Sequence, residues 1–222
     1  MPLILFSYYK PISDSIPAIV KQEHDLGRRL LIQGLSRFYG KSFTREELEQ
    51  LLREEENGKP FLKGFPQIHF NITHCTGFAA CAFHDQPVGI DAELPGYFAP
   101  VLKGAVLSPE EQAALLRTGE NQKLLEECFY RYWTLKEAYV KMTGTGVSVP
   151  LKDISFSFSP PPADPAPEND VPGEISITCT DRTVFCFQQK LAVGHILSLI
   201  TRSGGKTPEV SLIPAADLPD RP

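Results

Sequence analysis

Apolar residues in this chain follow a strand texture, then a helical spacing, then a strand texture, and the helix-then-strand order returns once more before residue 202. This change of period constrains the fold more than any single motif, because a segment with helical spacing cannot bury its apolar face as a strand. Residues 3–8 form a compact apolar run. Residues 23–39 carry Leu26, Leu30, Leu31, Leu35 and Phe38 on one helical stripe. Thr44 with Glu47 predicts a capped second helix, ended by Glu55-Glu56-Asn57-Gly58. Residues 68–72 alternate in part, residues 78–83 are a short apolar strand, and residues 87–93 follow after Asp85-Gln86, which reads as a hairpin. Ser108-Pro109-Glu110-Glu111 opens another helix, and a longer one is expected over 122–142, stopped by Gly144 and Gly146. Strand-like runs follow at 154–158, 174–179, 183–187 and 191–200. The order implies an α+β fold of two similar halves, residues 1–92 and 93–202. Residues 160–172 read as a Pro-rich acidic loop and 203–222 as a flexible tail.

The 222 residues are 42% hydrophobic, enough to bury a core and to exclude a disordered or fibrous chain. A net charge of −5 argues against a nucleic-acid binder that relies on phosphate contacts. No apolar run reaches the roughly 20 residues that cross a bilayer, so no membrane partner is expected. Met1-Pro2-Leu3-Ile4-Leu5-Phe6 lacks a basic leader and reads as a first strand, which points to the cytosol. The five cysteines lack zinc-ligand spacing and are an odd number, so all are expected as reduced, packed thiols.

Several residues carry potential chemistry. Asp91 and Glu93 leave one face of a strand, and two adjacent carboxylates repel unless a cation or proton lies between them. A hard cation such as Mg²⁺ suits oxygen donors, although an acidic pair facing water has the same pattern. Trp133, Glu137 and Lys141 recur every four residues, a stripe able to offer a third carboxylate and an ammonium, or simply an ordinary surface pair. Lys59, next to Gly58 and Pro60, sits where a stiffened turn could meet a phosphate. Thr73 and His74 end a strand with a hydroxyl and an imidazole; His74 with Cys75 makes a poor nucleophile system, since strand neighbours point apart. Glu111 fits the third position of a capping box.

Taken in order, Gly58-Lys59-Pro60, Phe70-Asn71-Ile72-Thr73-His74, Val88-Gly89-Ile90-Asp91-Ala92-Glu93 and Trp133-Thr134-Leu135-Lys136-Glu137-Ala138-Tyr139-Val140-Lys141 closely resemble the 4′-phosphopantetheinyl transferases of the surfactin-synthetase-activating type. The resemblance covers roughly residues 26–160. It implies two pseudo-symmetric α+β halves with coenzyme A in the cleft between them. It implies a holo-carrier-protein synthase, which moves the phosphopantetheine arm of coenzyme A to a serine of an apo acyl or peptidyl carrier protein and releases 3′,5′-ADP. Asp91, Glu93 and Glu137 would hold Mg²⁺. Lys59, Pro60, Thr73, His74 and Lys141 would contact the coenzyme, with Lys21, Arg28 and Arg29 as candidates for its adenine end. Glu137 is the favoured base, directly or through a water, with Glu111 second. Thr73 stands where the family more often has serine, Ala92 stands where it has a larger apolar residue, and the segment before Leu26 is short. Arg131, Lys136 and apolar surface around Phe98 are candidates for carrier docking, and a monomer is expected. The competing readings are a non-catalytic coenzyme A or carrier-binding module and a metal-dependent phosphohydrolase.

Overall fold

The computed structural model describes residues 1–159, 176–202 and 209–215. The order is β1 (Leu3–Tyr8), α1 (Ile16–Tyr39), α2 (Arg45–Leu51), β2 (Leu52–Glu54), β3 (Pro60–Leu62), β4 (His69–Cys75), β5 (Phe78–His84) and β6 (Val88–Glu93). Then follow α3 (Val101–Val106), α4 (Pro109–Leu116), α5 (Gln122–Thr143), β7 (Phe156–Ser159), β8 (Ser176–Cys179), β9 (Val184–Lys190), β10 (Ile196–Arg202) and β11 (Ser211–Pro214). The α+β class is as expected. A four-stranded sheet runs β11-β1-β5-β4 and a three-stranded sheet β6-β10-β9, with two further two-stranded pairs.

Alternation along the strands builds the layers. On β1 and β5, Leu3, Leu5, Ala79, Cys81 and Phe83 pack with Leu30, Leu31 and Leu35 of α1. Their neighbours Ile4, Phe6, Phe78, Ala80 and Ala82 point the other way and join Val88, Ile90, Ala92, Leu197 and Leu199 in a second cluster. A third cluster gathers Phe129, Leu135, Ala138 and Met142 of α5 with Ile200 of β10. The first sheet is therefore buried on both faces, which explains why β5 is a continuous apolar run rather than an alternating one. Gly34 lets α1 lie close to it, since a Cβ there would fall 2.0 Å from the Phe83 ring.

Both capping boxes form: Thr44 with Glu47 and Ser108 with Glu111. The long helix ends at Gly144 in the left-handed conformation, φ 69°. Helix α1 starts earlier than its apolar stripe, at Ile16. Helix α2 stops at Leu51, and Gly58 (φ 82°) turns a β2–β3 hairpin instead of terminating a helix. The expected hairpin of residues 78–83 with 87–93 does not form. Strand β5 pairs with β1 on one edge and β4 on the other, so no edge is left for β6. Strand β6 instead pairs antiparallel with β10. The expected strand at 191–200 begins at Ile196, after a turn in which Gly194 donates to the Leu191 carbonyl. Part of the expected tail is a strand as well: β11 pairs parallel with β1. The expected loop at 160–172, and residues 203–208 and 216–222 of the tail, lie outside the described residues. None of the five cysteines is in a disulfide. Among the described residues no helix is long and apolar enough to cross a membrane.

Candidate active site

The site forms where β4, β6 and α5 converge. Strands β4 and β6 are edge strands of different sheets, and side chains join them. The Ile90 amide donates to Asn71 Oδ1 at 2.9 Å and the Ala92 amide to Thr73 Oγ1 at 3.3 Å. The Thr73 hydroxyl donates in turn to Asp91 Oδ1 at 3.4 Å. Thr73 is buried, so its hydroxyl serves the seam between the sheets and Asp91, not an open surface.

Helix α5 lies directly on β6. A Cβ on Gly89 would fall 2.0 Å from the Ala138 carbonyl oxygen and 2.4 Å from the Met142 amide, a contact only glycine permits. This approach brings the stripe of Trp133, Glu137 and Lys141 over Asp91 and Glu93. Lys141 Nζ donates to Asp91 Oδ1 at 2.6 Å. Asp91 Oδ2 is buried with no partner among the described residues. Burial and then the neighbouring Asp91 push the Glu93 carboxyl up to about 7, against the pull of Lys141 and a hydrogen bond from Trp133. Burial and Asp91 also raise Glu137. Three carboxylates thus share one ammonium, and two of them resist ionisation.

The donor set is all oxygen, and one buried carboxylate oxygen is orphaned, which fits a hard cation. Among the described residues no group of three or more His, Cys, Asp and Glu is placed so that it could hold a metal ion as it stands, and Lys141 holds Asp91.

A cavity of about 500 Å³ opens beside this cluster, with Lys59, Pro60, Glu137 and Lys141 on its wall. Two contacts fix the wall. Lys59 Nζ donates to the Met142 carbonyl at 2.6 Å, and the Asn57 side chain bonds the Gly144 carbonyl, so the β2–β3 turn satisfies the free end of α5. Burial lowers the Lys59 ammonium from its ordinary value. His74 lies at the end of β4 with Nδ1 3.0 Å from Glu23 Oε2.

Other expected site residues lie elsewhere. Glu111 is sealed: Oε1 accepts from the Phe156 amide at 2.8 Å, and Oε2 accepts from the Ser108 amide at 2.8 Å and sits 2.7 Å from Lys136 Nζ. It has no oxygen to spare for a proton transfer. Lys136 is fully buried, its ammonium also donating to the Leu151 and Ile154 carbonyls, and Arg131 is buried beside Glu127. Neither is a surface charge for docking. Phe98 is buried and stacked on Phe129 at 3.8 Å, while Leu94, Tyr97 and Val101 near it in sequence are exposed. Arg28 pairs with Glu49 of α2 at 3.1 Å. Asn71, Asn57, Glu23 and Gly89 were not picked out as functional. Only Gly89 left a signal, a glycine inside a strand, which marks close backbone approach.

Comparison with known proteins gives the following likenesses. Residues 87–178 match the model of the 4′-phosphopantetheinyl transferase superfamily. The chain is 35% identical over 101 residues to the 4′-phosphopantetheinyl transferase Sfp of Bacillus subtilis, covering 46% of this chain and 44% of that one. It is 33% identical over 137 residues to the 4′-phosphopantetheinyl transferase psf-1 of Bacillus pumilus, covering 61% and 58%. It is 35% identical over 115 residues to the 4′-phosphopantetheinyl transferase HetI of a Nostoc species, covering 48% and 46%. The chain spans about half the length of the curated relatives it matches.

Proposed function

We propose that this chain, whose residues 87–178 match the model of the 4′-phosphopantetheinyl transferase superfamily, transfers the 4′-phosphopantetheine group of coenzyme A to a serine hydroxyl of an apo acyl or peptidyl carrier protein and releases 3′,5′-ADP. The observation that carries the reading is the cluster of Asp91, Glu93 and Glu137 around Lys141, whose Glu137 and Lys141 also line a cavity together with Lys59. Coenzyme A brings a pyrophosphate and a further phosphate. Lys59, in the turn before β3, and Lys141, on α5, both line the cavity and offer that charge two ammonium groups.

In the transfer, a bond forms between the serine oxygen and the β-phosphorus, the bond to the 3′,5′-ADP leaving group breaks, and the serine proton passes to a base. Glu137 is that base in this reading, directly or through a water: it lines the cavity beside Lys141. Lys141, shared between Asp91 and the cavity, steadies charge as it moves toward the leaving group. Asp91, Glu93 and Glu137 would hold Mg²⁺, which when bound would supply positive charge at the pyrophosphate. Cysteines outside any disulfide fit a reducing compartment, and a cytosolic, monomeric protein is part of this proposal.

Protein incubated with Mg²⁺, coenzyme A and a panel of apo carriers should add the phosphopantetheine mass to at least one of them. Asp91→Ala and Glu137→Ala should cut that gain roughly 10²-fold or more while the fold persists. Normal rates in either variant would overturn the site. Tight coenzyme A binding with no transfer to any carrier would replace the enzyme with a binding module, and release of inorganic phosphate from small esters would replace it with a phosphohydrolase.

A further inference from the structure

Besides Glu111, one more buried acid among the described residues lies outside the carboxylate cluster. Glu23, on α1, is 7% exposed, and both its oxygens are engaged. Oε1 receives the Tyr9 hydroxyl, and Oε2 lies 3.0 Å from His74 Nδ1. Tyr9 is itself fixed, with its backbone amide donating to the Gly77 carbonyl at 3.0 Å. The arrangement ties the loop after β1, the middle of α1 and the end of β4 to one imidazole. The His74 side chain is 37% exposed, and its Nε2 has no partner among the described residues. A buried carboxylate is costly unless something holds it in charge balance.

We propose that Glu23 is a positioning residue for His74: anchored by Tyr9, it holds the ring through Nδ1, so that Nε2 presents a donor to a phosphate of an anionic ligand. This rests on the proposed function and adds to it a second layer behind one ligand contact. In the free protein Nδ1 carries the ring proton toward Glu23. When an anion arrives, Nε2 takes a proton from solvent and donates it to the phosphate, and the Glu23 carboxylate balances the imidazolium from the other side. The charged groups that face the ring are Glu23 and His24 from α1, the latter with ring centroids 5.8 Å away, and Lys141 from α5. Burial, His24 and Lys141 disfavour the imidazolium and Glu23 favours it, so Glu23 decides how far below neutrality the ring titrates.

The test is a double-mutant cycle read by coenzyme A binding in calorimetry, using the full chain at several pH values and in two buffers of different ionisation enthalpy. Glu23→Gln keeps the shape and removes the charge. It should weaken coenzyme A about tenfold near neutral pH, about what one charge-assisted hydrogen bond contributes, and shift the alkaline loss of affinity to lower pH. Proton uptake on binding should shrink. Tyr9→Phe should give a smaller change in the same direction. In a His74→Ala background, Glu23→Gln should have no further effect. An NMR titration of the His74 ring should show its midpoint lower in Glu23→Gln than in the wild-type chain, which separates positioning from loss of fold. If the wild type binds coenzyme A but the two substitutions act independently, or the ring midpoint stays put, this proposal fails and the proposed function stands. If the wild type binds no coenzyme A, both fall.

Discussion

Adding one methyl group at Gly89 probes whether close contact between β6 and α5 assembles the site. In Gly89→Ala the new Cβ would lie 2.0 Å from the Ala138 carbonyl oxygen, 2.4 Å from the Met142 amide nitrogen and 2.9 Å from its Cα. All three are backbone atoms, so no side-chain rotation relieves the clash. The helix must lift by roughly 1 to 1.5 Å, or the strand must sink, and overpacking of this kind costs about 1–3 kcal/mol. The same shift moves Glu137 and Lys141 away from Asp91, and a 1 Å misplacement of reacting groups lowers rate by roughly 10²-fold. Urea denaturation gives the first quantity, and phosphopantetheine mass gain on an apo carrier, normalised to folded protein, gives the second. Gly104→Ala is the control: it lies in α3 with nothing within 4 Å of the added Cβ, so stability should hold or rise by a few tenths of a kcal/mol to about 1 kcal/mol. A Gly89→Ala protein with the wild-type denaturation midpoint would refute the steric reasoning. One that loses stability but transfers at full rate would refute the link between helix position and chemistry.

Other expected outcomes follow from the charged groups. Lys136→Met leaves Glu111 buried and unpaired and should cost about 3–5 kcal/mol in urea denaturation; adding Glu111→Gln, which leaves no net charge inside, should recover part of it, and a loss below 1 kcal/mol would contradict the pairing. The Glu93 carboxyl is raised from 4.5 to about 7 in the folded chain, so without divalent cations that group makes stability fall as pH rises from about 4.5 through 7. Glu93→Gln removes this loss, and its urea midpoint relative to wild type should grow between pH 5 and pH 8 in a chelating buffer. Mg²⁺ should raise the melting temperature of the wild-type chain and not that of Asp91→Asn, which has lost one of the proposed donor charges. Thr73→Val orphans the Ala92 amide and should cost about 1–3 kcal/mol, whereas Thr73→Ser should cost far less.

Local signals in the sequence were read well because their causes are local. The Thr44 and Ser108 caps each involve a side chain and an amide three residues away, and both form. The four-residue spacing of Trp133, Glu137 and Lys141 also carried through to one face of α5, with Lys141 on Asp91 and Trp133 on Glu93. What failed depended on partners distant in sequence. Residues 78–83 and 87–93 look like a hairpin, but the β5 edges are taken by β1 and β4, and only the assembled sheet reveals that. Strand β11 is four residues in a Pro- and Asp-rich stretch, and it is a strand only because β1 offers an edge. Lys136 and Arg131 were read as surface charges because charge usually means water; the acids and carbonyls that let them stay buried come from residues up to 25 positions away or from other elements. Glu23 carries no sequence signal, since a single acid in a polar stretch of α1 gives no hint that Tyr9 and His74 close on it.

The pairing of β6 with β10 also sets an order of events during synthesis. Val88 lies opposite Thr201, more than a hundred residues downstream. The first sheet can take shape from β1, β4 and β5 while the chain is still being made, but the strand carrying Asp91 and Glu93 stays without a ladder partner until β10 is present. Contacts of such long range form slowly. A chain stopped before residue 196 would display β6 as a bare apolar edge and stick to its own kind, so yield from truncated genes should collapse at that point rather than decline gradually.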